Sequence, residues 1–359
     1  MNYSAADHAH MARALQLAER GLFTTPPNPR VGCVIVKDGR VIGEGWHERA
    51  GTPHAEIHAL AQAGDAARGA TVYVTLEPCS HHGRTPPCAE ALISAGVARV
   101  VAAMTDPNPL VAGGGISMLT LAGIRADVGL MEAGARALNP GFISRMTRQR
   151  PWVRLKTAAT LDGKTALENG ASQWITSEAA RADVQRLRAQ ASAILTGSGT
   201  VLADDPRMTV RDFEIGRQPL RVVVDSALAT PPKAAILPAL VACHTADPAR
   251  RAALEAAGAE ILELPAGNGR VDLDALLTLL AQRGVNELHV EAGAGLNGAL
   301  LETGLVDEWI AYVAPMAVGD AARGLFATSP LTTLAHASRF RLADVRQVGP
   351  DLRLTLLPQ

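Results

Sequence analysis

The sequence predicts an α/β protein built from two successive domains. Three observations carry that expectation. The chain has 359 residues, more than one ordinary hydrophobic core holds. Short apolar runs alternate with segments of helical period along both halves. The alternation breaks at Asn139-Pro140-Gly141, and a basic stretch with Arg145, Arg148 and Arg150 then runs to Pro151. Those arginines read as a solvated linker, which places one domain at 1–147 and the other at 148–359.

In the first half, Ser4 and Asp7 form a capping-box-like pair ahead of the stripe Met11, Leu15, Ala18 and Leu22, which predicts a helix. Residues 31–36 read as a strand, Asp38-Gly39 as a hairpin turn and 41–45 as the returning strand. Residues 54–63 are helical and stop at Gly64. A strand at 70–76, a helix at 86–95 and a strand at 99–104 follow. In the second half, 153–159 is a strand running toward the Asp162-Gly163 turn, and Thr176 N-caps a helix reaching about 190. Apolar runs at 193–196, 220–225, 260–264 and 287–291 suit a largely buried parallel sheet, with helices at 248–257 and 273–282 between them. The tail, 309–314 and 339–357, alternates like antiparallel edge strands.

Composition excludes several classes. Lys+Arg number 34 and Asp+Glu 35, so no basic excess points to a polyanion such as nucleic acid. Aromatic residues are only 3%, too few for a platform that stacks single-stranded bases. No run of 18 apolar residues suggests a membrane span, and the first residues do not read as a secretory signal. Four cysteines cannot frame a chain of this size, so a clustered cysteine is more readily a metal ligand or a catalyst in a reducing cytoplasm.

The strongest chemical signal is His54-Ala55-Glu56, followed by Pro78-Cys79 and Cys88. One imidazole and two thiolates suit Zn²⁺, and three protein ligands leave a fourth position open, the catalytic layout. Glu56, two residues beyond His54, is placed to handle a proton without binding metal, as in zinc deaminases. Pro78 ends a strand and sets Cys79 at a turn; Pro87 starts a helix and sets Cys88 in its first turn, where the dipole favours a thiolate. The thiols are separated by eight residues, not two, which weakens the bare pattern. A closed structural zinc site stays open as an alternative, with His47, His58, His81 or His82 as fourth ligand. Cys33 and Cys243 read as buried small hydrophobes.

In the second half Gly293-Ala294-Gly295-Leu296-Asn297-Gly298 follows a strand and opens a helix. It comes too late in the domain for a Rossmann fingerprint, and Asp307 and Glu308 follow too soon to be the ribose-binding acid. Such a turn can still cradle a pyrophosphate at a helix N-terminus, or serve packing alone.

The segments PPNPRVGCVIV (26–36), HAEIHAL (54–60), TLEPCSHHGRTPPCAEALI (75–93) and DPNPLVAGGGISML (106–119) resemble those of the bifunctional riboflavin-biosynthesis deaminase/reductase family. So do LKTAATLDGKTA (155–166), SQWITSEAARADVQRLRA (172–189), TGSGTVLADDPRMTVR (196–211) and VEAGAGLNGALL (290–301). The eight-residue thiol spacing is that family's own pattern. The resemblance implies a cytidine-deaminase-like α/β/α domain, followed by a dihydrofolate-reductase-like α/β domain. Zn²⁺ and NADPH would be the cofactors. The first domain would deaminate 2,5-diamino-6-(5-phosphoribosylamino)pyrimidin-4(3H)-one, and the second would reduce its ribosyl group to ribityl.

By the same resemblance Asn28 and His47 hold the pyrimidine in the first site, and Ser172, Arg188, Arg211 and Glu291 hold the phosphorylated substrate in the second. Ala158, Trp174, Thr200, Asp204, Ser226 and the turn 293–298 are assigned to the cofactor, with Trp174 equally readable as core. Gly114 stands where the family often has Lys, at what reads as a surface or linker position. The expected setting is a cytoplasmic homo-oligomer acting on a small phosphorylated pyrimidine, with neither nucleic acid nor membrane as partner. The competing readings are a zinc deaminase of another base or nucleotide beside a separate cofactor domain, and a non-catalytic binding protein on the same folds.

Overall fold

The structure is a computed structural model, and it describes residues 3–81, 86–109 and 111–359. The chain falls into two compact units, Met1–Gln149 and Arg150–Gln359.

The first unit contains α1 (Ala5–Glu19), β1 (Gly32–Lys37), β2 (Arg40–Trp46), α2 (Ala55–Ala63), β3 (Thr71–Val74), α3 (Cys88–Ala95), β4 (Arg99–Ala102), α4 (Gly114–Leu121), β5 (Arg125–Val128), α5 (Glu132–Leu138) and α6 (Pro140–Arg148). Ser4 and Asp7 do form a reciprocal capping box on α1. The sheet order is β2-β1-β3-β4-β5, with β1 antiparallel to both neighbours and β3, β4 and β5 parallel. α2 lies very close to β2 because β2 offers glycine there. A Cβ on Gly45 would stand 2.2 Å from the Ala55 carbonyl oxygen, so that position admits no side chain. This contact sets the height at which α2 begins, and with it His54.

The expected basic linker is instead α6. Pro140 occupies the first turn, where a missing N–H costs nothing, and Arg145 and Arg148 close the last turn, where they complement the dipole. Pro-Gly looked like a break because it sits at a helix start. α4 and β5, with no strong periodicity in the sequence, were not anticipated either.

The second unit contains β6 (Trp152–Thr160), β7 (Lys164–Ala166), α7 (Glu178–Gln190), β8 (Ala193–Gly197), α8 (Ser198–Asp204), β9 (Leu220–Val224), β10 (Leu240–Cys243), α9 (Pro248–Ala256), β11 (Glu260–Glu263), α10 (Leu273–Gln282), β12 (Glu287–Val290), α11 (Ala294–Glu302), β13 (Glu308–Ala314), β14 (Arg323–Gly324), β15 (Phe340–Val348) and β16 (Asp351–Pro358). The nine-stranded sheet runs β11-β10-β9-β8-β12-β6-β13-β16-β15. It is parallel from β11 to β13, and β16 and β15 add the antiparallel edge anticipated from the alternating tail. The N-cap of α7 is Ser177 and not Thr176: the Ser177 side chain accepts from the Ala180 amide. Arg150 binds Asp307 at 2.7 Å, so it too is a structural residue. Cys33 and Cys243 are fully buried, as their apolar settings suggested.

Candidate active sites

In the first unit three donors converge. His54 is the N-cap of α2, held in extended conformation at φ −75°, ψ 166°, so its ring projects back from the helix start. Cys88 is the first residue of α3, with Pro87 as N-cap. Cys79 lies in the turn after β3, and its sulfur accepts the Cys88 amide at 3.2 Å. His54 Nδ1 stands 3.3 Å from Cys88 Sγ and 3.6 Å from Cys79 Sγ. All three donor atoms lie within 4.8 Å of one another. A tetrahedral Zn²⁺ with ordinary Zn–N and Zn–S bonds holds N and S about 3.6 Å apart, so the donor set fits that ion. Among the described residues no fourth His, Cys or acid joins the cluster. His82 lies outside the described residues, and His81 does not belong to the cluster.

Electrostatics favours a metal-ready pair of thiols. Hydrogen bonding from Cys88, then from His54, pulls the Cys79 thiol down to about 4 despite burial, and the same shared proton pushes Cys88 up. A divalent cation in that position would release the shared proton. Glu56 is buried in the first turn of α2. Burial and then the Cys79 charge raise its carboxyl to about 7, the range where a carboxylate can both take and give a proton.

His47 is buried and edge-on to His54, with ring centroids 5.4 Å apart. Its Nδ1 lies 3.2 Å from the Pro53 carbonyl, which can only accept, so Nδ1 carries the proton. Nε2 is then the acceptor for Asn28 Nδ2 at 3.0 Å. The amide's other end, Asn28 Oδ1, is the acceptor that His47 does not use. The two residues assigned to pyrimidine binding are therefore in contact with each other and next to the metal donors.

Sequence reasoning missed Glu77. Its buried carboxylate accepts four backbone amides, from Asp106 and Gly113 at Oε2 and from Gly115 and Ile116 at Oε1, all at 3.0–3.1 Å. It therefore ties the 106–116 segment to the turn that carries Cys79. A Cβ on Gly115 would stand 1.9 Å from the Pro78 carbonyl oxygen, which shows how tight that closure is. Gly114 belongs to the same closure and to no linker: a Cβ there would stand 2.5 Å from Ser80 Oγ. The available signal was an acid between Leu76 and Pro78 at a strand end, a place where a charge is buried only if its acceptors are filled.

In the second unit the candidate residues gather at the C-terminal ends of the parallel strands, where ligands bind in open α/β sheets. β6 carries Ala158; β8 leads to Thr200; β9 leads to Ser226; β12 leads to Glu291 and the glycine turn. Thr200 faces that turn, since a Cβ on Gly293 would meet its Oγ1 at 3.7 Å. α11 begins at Ala294 with Gly293 as N-cap, so the turn does open a helix. Within it Asn297 is buried and donates to the Ala292 and Leu325 carbonyls, bracing the turn from inside. Asp204 ends α8 and is exposed, and Ser172 is half-buried in the segment before α7. Trp174 is no core residue: it is 65% exposed, and Arg181 stacks over its ring at 4.3 Å.

Arg188 departs from its expected setting. On α7 it makes a two-point ion pair with Glu291, 2.5 Å at Nε and 3.0 Å at Nη2, and a further bond to the Thr209 carbonyl. Its donors face protein groups, so a phosphate there would compete with Glu291. Arg211 is exposed and its guanidinium makes no ion pair among the described residues. Lys156, unremarked in the sequence, stands 3.8 Å from Glu291 Oε2, and burial lowers the pKa of its ammonium. Charged residues at 154 and 156 in an otherwise apolar strand were the readable sign of a buried polar face. Burial pushes the Glu291 carboxyl up, but Arg188, His289 and Lys156 outweigh it and hold Glu291 well below the usual range.

Residues 4–104 match the cytidine and deoxycytidylate deaminase zinc-binding region, and residues 151–354 match the RibD C-terminal domain. The chain is 52% identical to the riboflavin biosynthesis protein RibD of Escherichia coli, over 98% of this chain and 99% of that one. Among solved structures it is similar to Acinetobacter baumannii RibD, at 47% identity, 99% coverage of both chains and a TM-score of 0.92. It is also similar to a diaminohydroxyphosphoribosylaminopyrimidine deaminase/5-amino-6-(5-phosphoribosylamino)uracil reductase from Thermotoga maritima, at 33% identity, 99% coverage of both and a TM-score of 0.87.

Proposed function

The chain belongs to the RibD family of bifunctional riboflavin-biosynthesis enzymes, a deaminase and a reductase in one chain, and on that premise we propose which of its residues carry each step. The family's cofactors supply what side chains cannot: zinc activates water at neutral pH, and NADPH brings reducing equivalents. His54, Cys79 and Cys88 hold the metal. Glu56 relays the water's two protons in turn, the first to the pyrimidine ring nitrogen and the second to the departing amino group, which leaves as ammonia. Asn28 Oδ1 accepts from an exocyclic amino group, and His47 fixes the Asn28 amide for that task.

In the reductase half, Ala158, Trp174, Thr200, Asp204, Ser226 and 293–298 line the cofactor. Asn297 acts there by holding the turn's shape. Arg211 receives the substrate phosphate, with Ser172 beside it, and Glu291 faces the ribosyl group, oriented by Arg188 and Lys156. We place this activity in a cytoplasmic homo-oligomer. Four free cysteines suit a reducing compartment, and the exposed Leu342, Val345 and Leu352 of the β15–β16 hairpin offer an apolar face.

The single observation that carries the deaminase reading is the convergence of His54, Cys79 and Cys88 within 4.8 Å beside buried Glu56. A deaminase of some other base beside an unrelated cofactor domain is not favoured, because the relatives match through both halves. The test is NADPH consumption by the zinc-loaded protein given the undeaminated diaminopyrimidinone. Reduction should proceed in the wild type, and in Glu56→Gln only once deaminated substrate is supplied. No NADPH consumption with either substrate would remove the reductase assignment.

A further inference from the structure

β12 alternates in a way that leaves one titratable group unexplained. Leu288 and Val290 enter an apolar core, which puts Glu287, His289 and Glu291 on the other face. His289 is 0% exposed; its Nδ1 has no hydrogen-bond partner among the described residues, and its Nε2 has only a close but unaligned neighbour. Its Nε2 lies 3.3 Å from Glu291 Oε1. An imidazole buried with so little pairing costs free energy that an apolar residue of similar size would not, so its presence there calls for a purpose.

The groups that face it come from four elements. β6 supplies Arg154, its register partner, and Lys156; β12 supplies Glu287 and Glu291; α7 supplies Arg188; β13 supplies Glu308, which binds Arg154 at 2.6 Å. Burial lowers the imidazole's pKa, Glu291 opposes it, and Arg154 and Arg188 add to the lowering, so the net effect keeps the ring neutral. A neutral ring carries one N–H, and the acceptor in reach is the Glu291 carboxylate. Thr196 Oγ1 is likewise buried and unpartnered, one residue beyond Leu195, whose carbonyl accepts the Glu291 amide.

We propose that His289 is a positioning residue of the reductase site: a small turn of its neutral ring aims Nε2–H at Glu291 Oε1, 3.3 Å away, and fixes the carboxylate against Lys156 and Arg188. This rests on the reading of Glu291 as the residue facing the ribosyl group. Removing the ring takes away a hydrogen bond that favours the ionised carboxylate, so Glu291 gains a second orientation and takes up a proton at higher pH.

The experiment compares His289→Phe, His289→Gln and Glu291→Gln in the full-length enzyme, given deaminated substrate and NADPH across pH. His289→Phe should lower the reductase kcat about tenfold, the size of one hydrogen bond to a charged group. Its acid limb should move up by about one pH unit, with KM for NADPH unchanged. His289→Gln, whose amide nitrogen reaches as far as Nε2, should restore most of both. A His289→Phe enzyme with wild-type kcat and an unmoved acid limb, beside a Glu291→Gln enzyme that has lost reduction, would overturn the role of His289 alone. A Glu291→Gln enzyme that reduces normally would instead overturn the underlying reading of Glu291, and the proposal with it.

Discussion

The two units each bury a glutamate at their chemical centre and treat it in opposite ways. At Glu56 burial and the Cys79 charge outweigh the nearby His54, and the carboxyl rises to about 7. Glu291 is largely buried too, its side chain 12% exposed, but it meets Arg188 at 2.5 Å and Lys156 at 3.8 Å and stays ionised far into acid. The difference separates two uses of a carboxylate. One held near neutrality exchanges protons, and one held ionised by fixed cations orients other groups. On the roles proposed above, the first unit's acid would work as chemistry and the second's as scaffold for the sugar.

The largest expected effect breaks this contrast on the first side. Glu56→Gln keeps the shape of the side chain but cannot carry a proton. Ammonia release should fall by about 10²–10⁴-fold, the range of general acid–base catalysis. Zinc content, read by atomic emission, should stay at the wild-type level, and reduction of deaminated substrate should be untouched. Loss of zinc in this variant would make Glu56 a part of the metal site instead.

Glu291→Gln breaks the contrast on the other side. It leaves Arg188 buried without its counter-ion, which costs about 3–5 kcal/mol of the second unit's stability near neutral pH. Because the folded pKa lies below the usual 4.5, ionised Glu291 stabilises the fold above about pH 4.5. That contribution is lost as pH falls through the depressed value. Urea unfolding of wild type and variant should therefore show a gap that is widest at pH 7 and narrows in acid. A gap independent of pH would mean that the carboxylate's charge plays no part.

These opposite settings also explain what could be read from the sequence. The metal donors lie within one short stretch, 54–88, each at a helix start or a strand-end turn that Pro78 and Pro87 announce. Spacing and local propensity suffice there. Glu291, Lys156 and Arg188 meet only because β12 lies beside β6 with α7 over that face, an order fixed by tertiary packing. The assignments in that half came from resemblance, and the pairing of Arg188 with Glu291 was invisible. Glu77 falls between the two cases. Its neighbour Cys79 was found, but its four amide partners lie some 30–40 residues away. α6 was lost for a local reason, since Pro-Gly at a helix start looks the same as Pro-Gly in a linker.

A smaller effect sharpens the division of labour among arginines. Arg188 is committed to Glu291, whereas Arg211 is exposed and forms no ion pair among the described residues. Arg211→Ala should raise KM for the phosphorylated substrate about tenfold or more, the weight of one charge-assisted contact. KM for NADPH should barely move. The reverse pattern in steady-state kinetics would put Arg211 on the cofactor.

The smallest effect concerns how α7 is started, and through it how Arg188 is held. The Ser177 side chain accepts from the Ala180 amide, and the Ser177 amide donates to Asp351 at 2.7 Å, so this residue joins the helix start to β16. Thr176 lies one position earlier, and no helix amide bonds to its side chain. Ser177→Ala removes one acceptor from the first turn, worth about 1 kcal/mol. That shifts melting of a unit this size by about 2–4 °C. Thr176→Ala should leave the melting temperature unchanged. The Ser177 amide bond to Asp351 survives in both variants, because it is made by backbone, so any difference between them isolates the cap. Equal shifts would return the cap to Thr176 and detach the start of α7 from the position that now aims Arg188 at Glu291.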